Sequence, residues 1–215
     1  EFDKNLKQIN WFNIGGKCKI FFKPNSLIEL KNFLKLYNNR GKIFIIGAGS
    51  NVLFSDEDYD GVVIKLGKMF SNITLKDENT IISGSITTDK QLSEFAKNNG
   101  ISGFEFLSCI PGSIGGGIRM NAGCFKNEFK DILLSVQAID LDGNIIMIPA
   151  SKIKFQYRKS DFSKDLIFLS ATFRGKKGNV KLIEKETNEM KVKKNLAQPS
   201  KIKTSGSTFK NPIKQ

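Results

Sequence analysis

The sequence predicts an α+β protein, because capped amphipathic helices and hairpin-forming strands are mixed along the chain without any internal repeat. The chain has 215 residues, of which 40% are hydrophobic and 26% charged. That is enough to bury a core, as one domain or as two small lobes. The order of elements suggests two lobes in the first ~175 residues and the start of a third unit after them, a size consistent with small domains.

Ser26 is placed to cap a first helix, with Glu29 three residues on as in a capping box. Leu27, Leu30, Phe33, Leu34 and Tyr37 then fall near one face, and Gly41 is the expected stop. Lys42 to Ile46 reads as a buried strand running into Gly47-Ala48-Gly49-Ser50-Asn51. That start tempts a Rossmann reading, which fails on context: Val52 stands where a third glycine belongs, and Phe54 to Asp58 reads as a turn rather than a helix. Strands are expected at Val62 to Lys65 and Thr80 to Ser83. Thr88 and Gln91 open a second helix with Leu92, Phe95 and Ala96 inward, closed by Gly100. A glycine-rich loop runs from Ser108 to Gly123. After it, Asp142-Gly143-Asn144 between Leu134 to Leu141 and Ile145 to Ile148 signals a hairpin. Leu166 to Phe173 is a further strand. Lys181 to Leu196 reads as a basic amphipathic helix carrying Ile183, Met190, Val192 and Leu196, and Gln198 to Gln215 is turn-rich.

Composition narrows the chemistry. The chain contains no histidine, which excludes a Ser-His-Asp triad, a Cys-His dyad and the usual histidine-bearing zinc sites. Cys18, Cys109 and Cys124 form no CxxC pair and are odd in number, so reduced thiols in a cytosol are expected and no metal site. No apolar run is long enough for a bilayer and no basic-then-apolar leader opens the chain, so a cytoplasmic protein without membrane insertion is expected. The first residue is Glu1, which suggests a trimmed start. The net charge of +13 raises a nucleic-acid reading. Its distribution favours a lysine-rich solvated surface instead: residues 176–215 carry eleven lysines and three glutamates, or +8, the rest only +5, and just four basic residues are arginine.

Four segments could carry chemistry. Gly47 to Asn51 follows a strand directly, and its N–H groups with the Ser50 hydroxyl would suit a pyrophosphate, or make a plain turn. The Ser108 to Gly123 loop lets backbone approach a flat or phosphorylated cofactor, with successive free N–H groups. Asn121 within it could pair with polar ring edges or close an Asx-turn. Arg158, next to Tyr157, could clamp a phosphate or carboxylate, or be a surface charge. Ser207, between Gly206 and Thr208-Phe209, could donate a proton if its rotamer is fixed, or belong to a turn before Pro212.

Taken in order, Asn13-Ile14-Gly15-Gly16, Gly47 to Leu53, Ile110 to Gly123, Tyr157 to Ser160, Gln198-Pro199 and Gly206 to Pro212 resemble the UDP-N-acetylenolpyruvoylglucosamine reductase family, flavoenzymes of bacterial peptidoglycan synthesis. The resemblance implies a two-lobed FAD-binding fold of the vanillyl-alcohol-oxidase type, with lobes at 1–67 and 68–175 and the start of a substrate-binding α+β domain at 176–215. It implies that NADPH reduces FAD, that flavin N5 passes hydride to UDP-N-acetylglucosamine enolpyruvate, and that a serine protonates the resulting enolate to give UDP-N-acetylmuramate. By motif position Ser207 matches the proton donor and Arg158 the arginine that stabilises the enolate. Gly47, Gly49, Ser50, Asn51, Pro111, Gly112, Ser113, Gly115, Gly116, Asn121 and Gly123 fall in the FAD-lining loops. Tyr157, Lys210 and Asn211 fall where substrate is held. A flavin also explains how a chain without histidine can be an enzyme. Another flavin oxidoreductase of the same fold, or a basic nucleic-acid-binding module, are the alternative readings. Three departures stand out: Cys109 occupies a position where glycine is expected, Lys194 replaces an arginine before Gln198-Pro199, and the chain ends soon after Pro212. The resemblance is therefore to a C-terminally truncated member of the shorter type, without a tyrosine loop and without the family's catalytic glutamate.

Overall fold

The structure, a computed structural model, describes residues 1–198. Strands β1 (Phe2–Asn5) and β2 (Lys17–Phe22), helix α1 (Leu27–Tyr37), and strands β3 (Lys42–Ile45) and β4 (Tyr59–Ile64) build a first sheet in the order β1-β2-β4-β3. β1 and β2 are antiparallel, and β4 runs parallel to both of its neighbours. The unbroken run Val62-Val63-Ile64 is fully buried, as a central parallel strand covered on both faces requires. Ser26 caps α1 by accepting from the Glu29 N–H at 3.1 Å. The Glu29 carboxylate reaches back to the Asn25 N–H at 2.8 Å, one residue upstream of the usual capping-box position. The expected stop at Gly41 is corrected: α1 ends at Asn38, in the left-handed region at φ 46°, because asparagine accepts that conformation and comes first.

Strands β5 (Ile73–Leu75) and β6 (Thr80–Gly84) precede helix α2 (Asp89–Asn98), strand β7 (Ile101–Ser102) and helix α3 (Ile114–Arg119). Then follow β8 (Gly123–Cys124), β9 (Asn127–Glu128), β10 (Leu133–Ile139), β11 (Ile145–Pro149), β12 (Phe155–Gln156), β13 (Lys159–Ser160), β14 (Ile167–Arg174), β15 (Lys176–Lys177) and helix α4 (Val180–Ala197). The second sheet is antiparallel throughout, in the order β11-β10-β14-β6-β5. Thr88 and Gln91 form both halves of a capping box on α2, and Gly143 at φ 89° turns the β10–β11 hairpin, both as the sequence predicts.

The two sheets share a core in which Leu30 and Leu34 of α1 and Val62 and Ile64 of β4 pack with Ile139, Ile167 and Leu169 of the second sheet. A larger core joins α2 and α3 to the other face of that sheet around Phe104, Phe106, Phe129 and Phe173. The inward stripe of α4 differs from expectation. Ile183 and Thr187 are buried and Met190 half-buried, whereas Val192 and Leu196 are 58% and 84% exposed. Steps of four and three residues from Ile183 lead to Thr187, Met190 and Lys194, while Val192 and Leu196 lie about half a turn away. The Lys194 ammonium donates to the Cys109 carbonyl, which ties this helix to the head of the glycine loop. No helix among the described residues is long and apolar enough to cross a membrane.

Candidate functional site

The turn after β3 meets the glycine loop. The Ala48 N–H donates to Ser113 Oγ at 3.2 Å, across 65 residues of sequence. A Cβ on Gly47 would run into that same Ser113 Oγ, so glycine is what permits the close approach. Gly49 adopts φ 74°, a Cβ there would strike the Ile9 carbonyl, and its own carbonyl accepts from the Trp11 N–H at 3.0 Å. Ser113 is buried, so removing its hydroxyl strands a donor. Because Ala48 itself is exposed, Ser113→Ala is expected to cost about 0.5–1.5 kcal/mol, the net worth of one hydrogen bond, read as a lower urea midpoint with unchanged m-value.

Three of the five glycines of the run lie in a short helix, not in an open loop. α3 passes through Gly115, Gly116 and Gly117, although each glycine costs about 1 kcal/mol relative to alanine in a helix. Full burial of Ile114 and Ile118 offsets that cost. The expectation of successive free N–H groups is corrected as well: the Ile114 N–H bonds the Thr87 carbonyl at 2.9 Å and the Gly115 N–H bonds the Ser85 carbonyl at 2.8 Å. Pro111, Gly116 and Asn51 are exposed, and Ser50 and Gly112 are half-buried. Two residues that pack on these turns, Ser85 with its Cβ against Gly115 and Asn10 with its Cα against Gly49, each carry a buried side-chain oxygen, Ser85 Oγ and Asn10 Oδ1, with no hydrogen-bond partner among the described residues. Turns made narrow by glycine and flanked by unsatisfied buried oxygens fit a flat, polar-edged cofactor.

Asn121, Gly123, Tyr157 and Arg158 come together at the end of the loop. Asn121, buried at φ 40°, donates to Glu128 Oε2 at 2.9 Å and to the Gln156 carbonyl at 3.0 Å, and accepts from the Lys130 N–H at 3.1 Å. Its amide is therefore spent on the protein rather than turned toward a ring edge. Arg158, at φ 55°, donates to the Gly123 carbonyl at 2.7 Å, sits 3.7 Å from Glu128 Oε1 and stacks on Tyr157 at 4.7 Å. Glu128 links both residues, and nothing in its local sequence announced that role. Ser207, Lys210 and Asn211 lie outside the described residues.

Two further groups support the loop from beneath. Arg119 donates to the carbonyls of Phe162, Ser163 and Leu166 at 2.7–3.0 Å and lies over the Phe168 ring at 4.4 Å. Asp89 begins α2 and is fully buried, with neither carboxylate oxygen paired among the described residues. A Cβ on Gly112 would stand 2.5 Å from Asp89 Oδ2, so this carboxyl is packed against the loop. Burial pushes its pKa up to about 8.

Comparison with known proteins agrees with this geometry. The FAD binding domain family model matches residues 18–148, which sets the class: a flavoprotein built on that domain. The UDP-N-acetylenolpyruvoylglucosamine reductase of Pelagibacter ubique (strain HTCC1062) is 61% identical over 214 residues, covering 100% of this chain and 71% of the relative. That of Rickettsia typhi (strain ATCC VR-144 / Wilmington) is 44% identical, covering 98% of this chain and 71% of the relative. The crystal structure of UDP-N-acetylenolpyruvylglucosamine reductase (MurB) from Thermus caldophilus matches with a TM-score of 0.84 at 29% identity, over 96% of this chain and 73% of that one. The chain belongs to the UDP-N-acetylenolpyruvoylglucosamine reductase family.

Proposed function

We propose that this protein is an FAD-dependent oxidoreductase that reduces UDP-N-acetylglucosamine enolpyruvate to UDP-N-acetylmuramate for peptidoglycan synthesis in the cytoplasm, with NADPH as reductant. The observation that carries this reading is the meeting of two glycine turns through Ala48 and Ser113 in a chain matched along its whole length by reductases of that name. The two sheets are the FAD-binding lobes, 1–67 and 68–175, and residues 176–215 begin the substrate-binding unit.

FAD, when bound, supplies hydride-transfer chemistry that no side chain of this protein can supply. Gly47, Gly49, Ser50 and Asn51 line one wall of its site, and Pro111, Gly112, Ser113, Gly115, Gly116, Asn121 and Gly123 line the other. Asn121 serves by holding the turn, since its amide is internally bonded. Arg158 supplies fixed positive charge where the enolpyruvyl group gains negative charge, a placement that lowers the barrier electrostatically. The Gly123 carbonyl and Tyr157 ring hold that guanidinium in one orientation. Ser207 delivers the proton to the enolate, and Tyr157, Lys210 and Asn211 hold the substrate. Arg119 weighs against a nucleic-acid surface, because three backbone carbonyls already take up the guanidinium of one of only four arginines.

The test is NADPH oxidation with and without the enolpyruvyl sugar nucleotide, using protein extended to the length of its relatives. Oxidation is expected to depend on that sugar nucleotide and to match it mole for mole. Oxidation indifferent to it would overturn the substrate assignment and leave another flavin oxidoreductase.

A further inference from the structure

Two thiols at the ends of the glycine loop have no part in the proposed reaction. Cys109 closes a one-turn helix at Glu105–Cys109 and is 5% exposed. Cys124 ends β8, which packs against that turn, and is half-buried, so its side of the pair is the more open one. Neither cysteine is in a disulfide. The two side chains meet where β8 packs on that turn, and their interaction holds the Cys109 thiol well below its ordinary range and pushes the Cys124 thiol up. Ser108 Oγ stands 3.7 Å from Cys109 Sγ, and the Lys194 ammonium on the Cys109 carbonyl adds positive charge nearby. Such surroundings favour a thiolate, the reactive form of cysteine. Cys18 is fully buried in the core of the first sheet, apart from this pair.

We propose that Cys109 and Cys124 are a peroxide-reactive dithiol whose oxidation to a disulfide staples together the two ends of the glycine loop. The Cys109 thiolate attacks one oxygen of a small hydroperoxide, the O–O bond breaks, and hydroxide (or alkoxide) leaves, so Cys109 becomes a sulfenic acid. The Cys124 sulfur then attacks the Cys109 sulfur, the S–O bond breaks, and water departs with the thiol proton. Two electrons pass from the two sulfurs to the peroxide. The cross-link spans the ends of the segment that carries α3, so oxidation restricts the loop in every state of the chain. This chemistry stands whether or not the segment holds a flavin.

The experiment exposes the reduced 215-residue protein to hydrogen peroxide, alkylates what remains, and maps the peptides. Free thiols are expected to fall from three to one, with Cys18 still alkylated and a Cys109–Cys124 peptide within one chain. In Cys124→Ser, the same treatment is expected to leave a sulfenic acid on Cys109, trapped by dimedone, and in Cys109→Ser no disulfide forms. Retention of all three thiols, cross-links between chains, or equal reactivity of Cys124 in Cys109→Ser would overturn the proposal.

Discussion

Asp89→Asn is expected to stabilise the protein, and by a margin that grows as the pH rises. The parent carboxyl is protonated in the folded state up to about pH 8, against an ordinary value of 3.8. Its position in the first turn of α2 favours negative charge by only about 0.3–1 kcal/mol, too little to offset burial without a partner. The unfolded chain releases this proton near pH 4, and the folded chain holds it. The contribution of Asp89 to stability is therefore fully present below about pH 4 and is lost progressively as pH rises toward 8, by about 1.4 kcal/mol per unit. Asparagine keeps the shape and has no proton to lose. Urea unfolding of both proteins across that range is expected to give curves that converge near pH 4 and separate by several kcal/mol at pH 8. Parallel curves would show that the carboxyl is solvated or paired in solution.

The second large effect is expected from Phe129→Ala. Phe129 is fully buried, with edge contacts to Phe106 at 6.3 Å and Phe173 at 6.0 Å. Its ring also fills the space that a Cβ on Gly117 would need, so it forms the floor under α3. Truncating a buried phenylalanine costs about 3–5 kcal/mol through lost transfer energy and the cavity left behind. The cost here is expected at the upper end, because three elements meet at this ring and cannot all collapse into the gap. Phe129→Leu is expected to recover more than half. A loss below about 1 kcal/mol would mean that the loop is supported by its hydrogen bonds rather than by this packing.

Where the local signal was strong, the fold was legible. Ser26, the Thr88–Gln91 pair and Gly143 each act through bonds or dihedrals within a few residues, so their helices and hairpin fell where expected. The first two strands were not anticipated. β1 is four residues long and is held by partners such as Phe2 against Ile20, a pairing that no local pattern encodes. α3 ran against propensity: three glycines argue for a loop, and only burial of Ile114 and Ile118 with the carbonyls of Thr87 and Ser85 makes it a helix.

The candidate site shows the same division. Gly47, Ser113, Asn121 and Arg158 stood out through their motifs. Asp89 did not, because a carboxylate at a helix start is ordinary and only its burial makes it unusual. Arg119 works through carbonyls 43 to 47 positions further along the chain, and Glu128 through Asn121 and Arg158 on either side of it, partnerships that no local pattern encodes.

The proposed function rests on the Gly47 turn and the Gly112 to Gly123 segment forming one FAD cradle, pinned by Ala48 and Ser113. Titration of FAD into the purified 215-residue protein and into Gly47→Val, followed by flavin absorption and fluorescence, addresses that directly. The parent is expected to bind FAD, and the folded valine variant, whose side chain must displace Ser113 Oγ, is expected to lose that binding. A parent that does not take up FAD, or a valine variant that binds it as well as the parent does, would contradict the account.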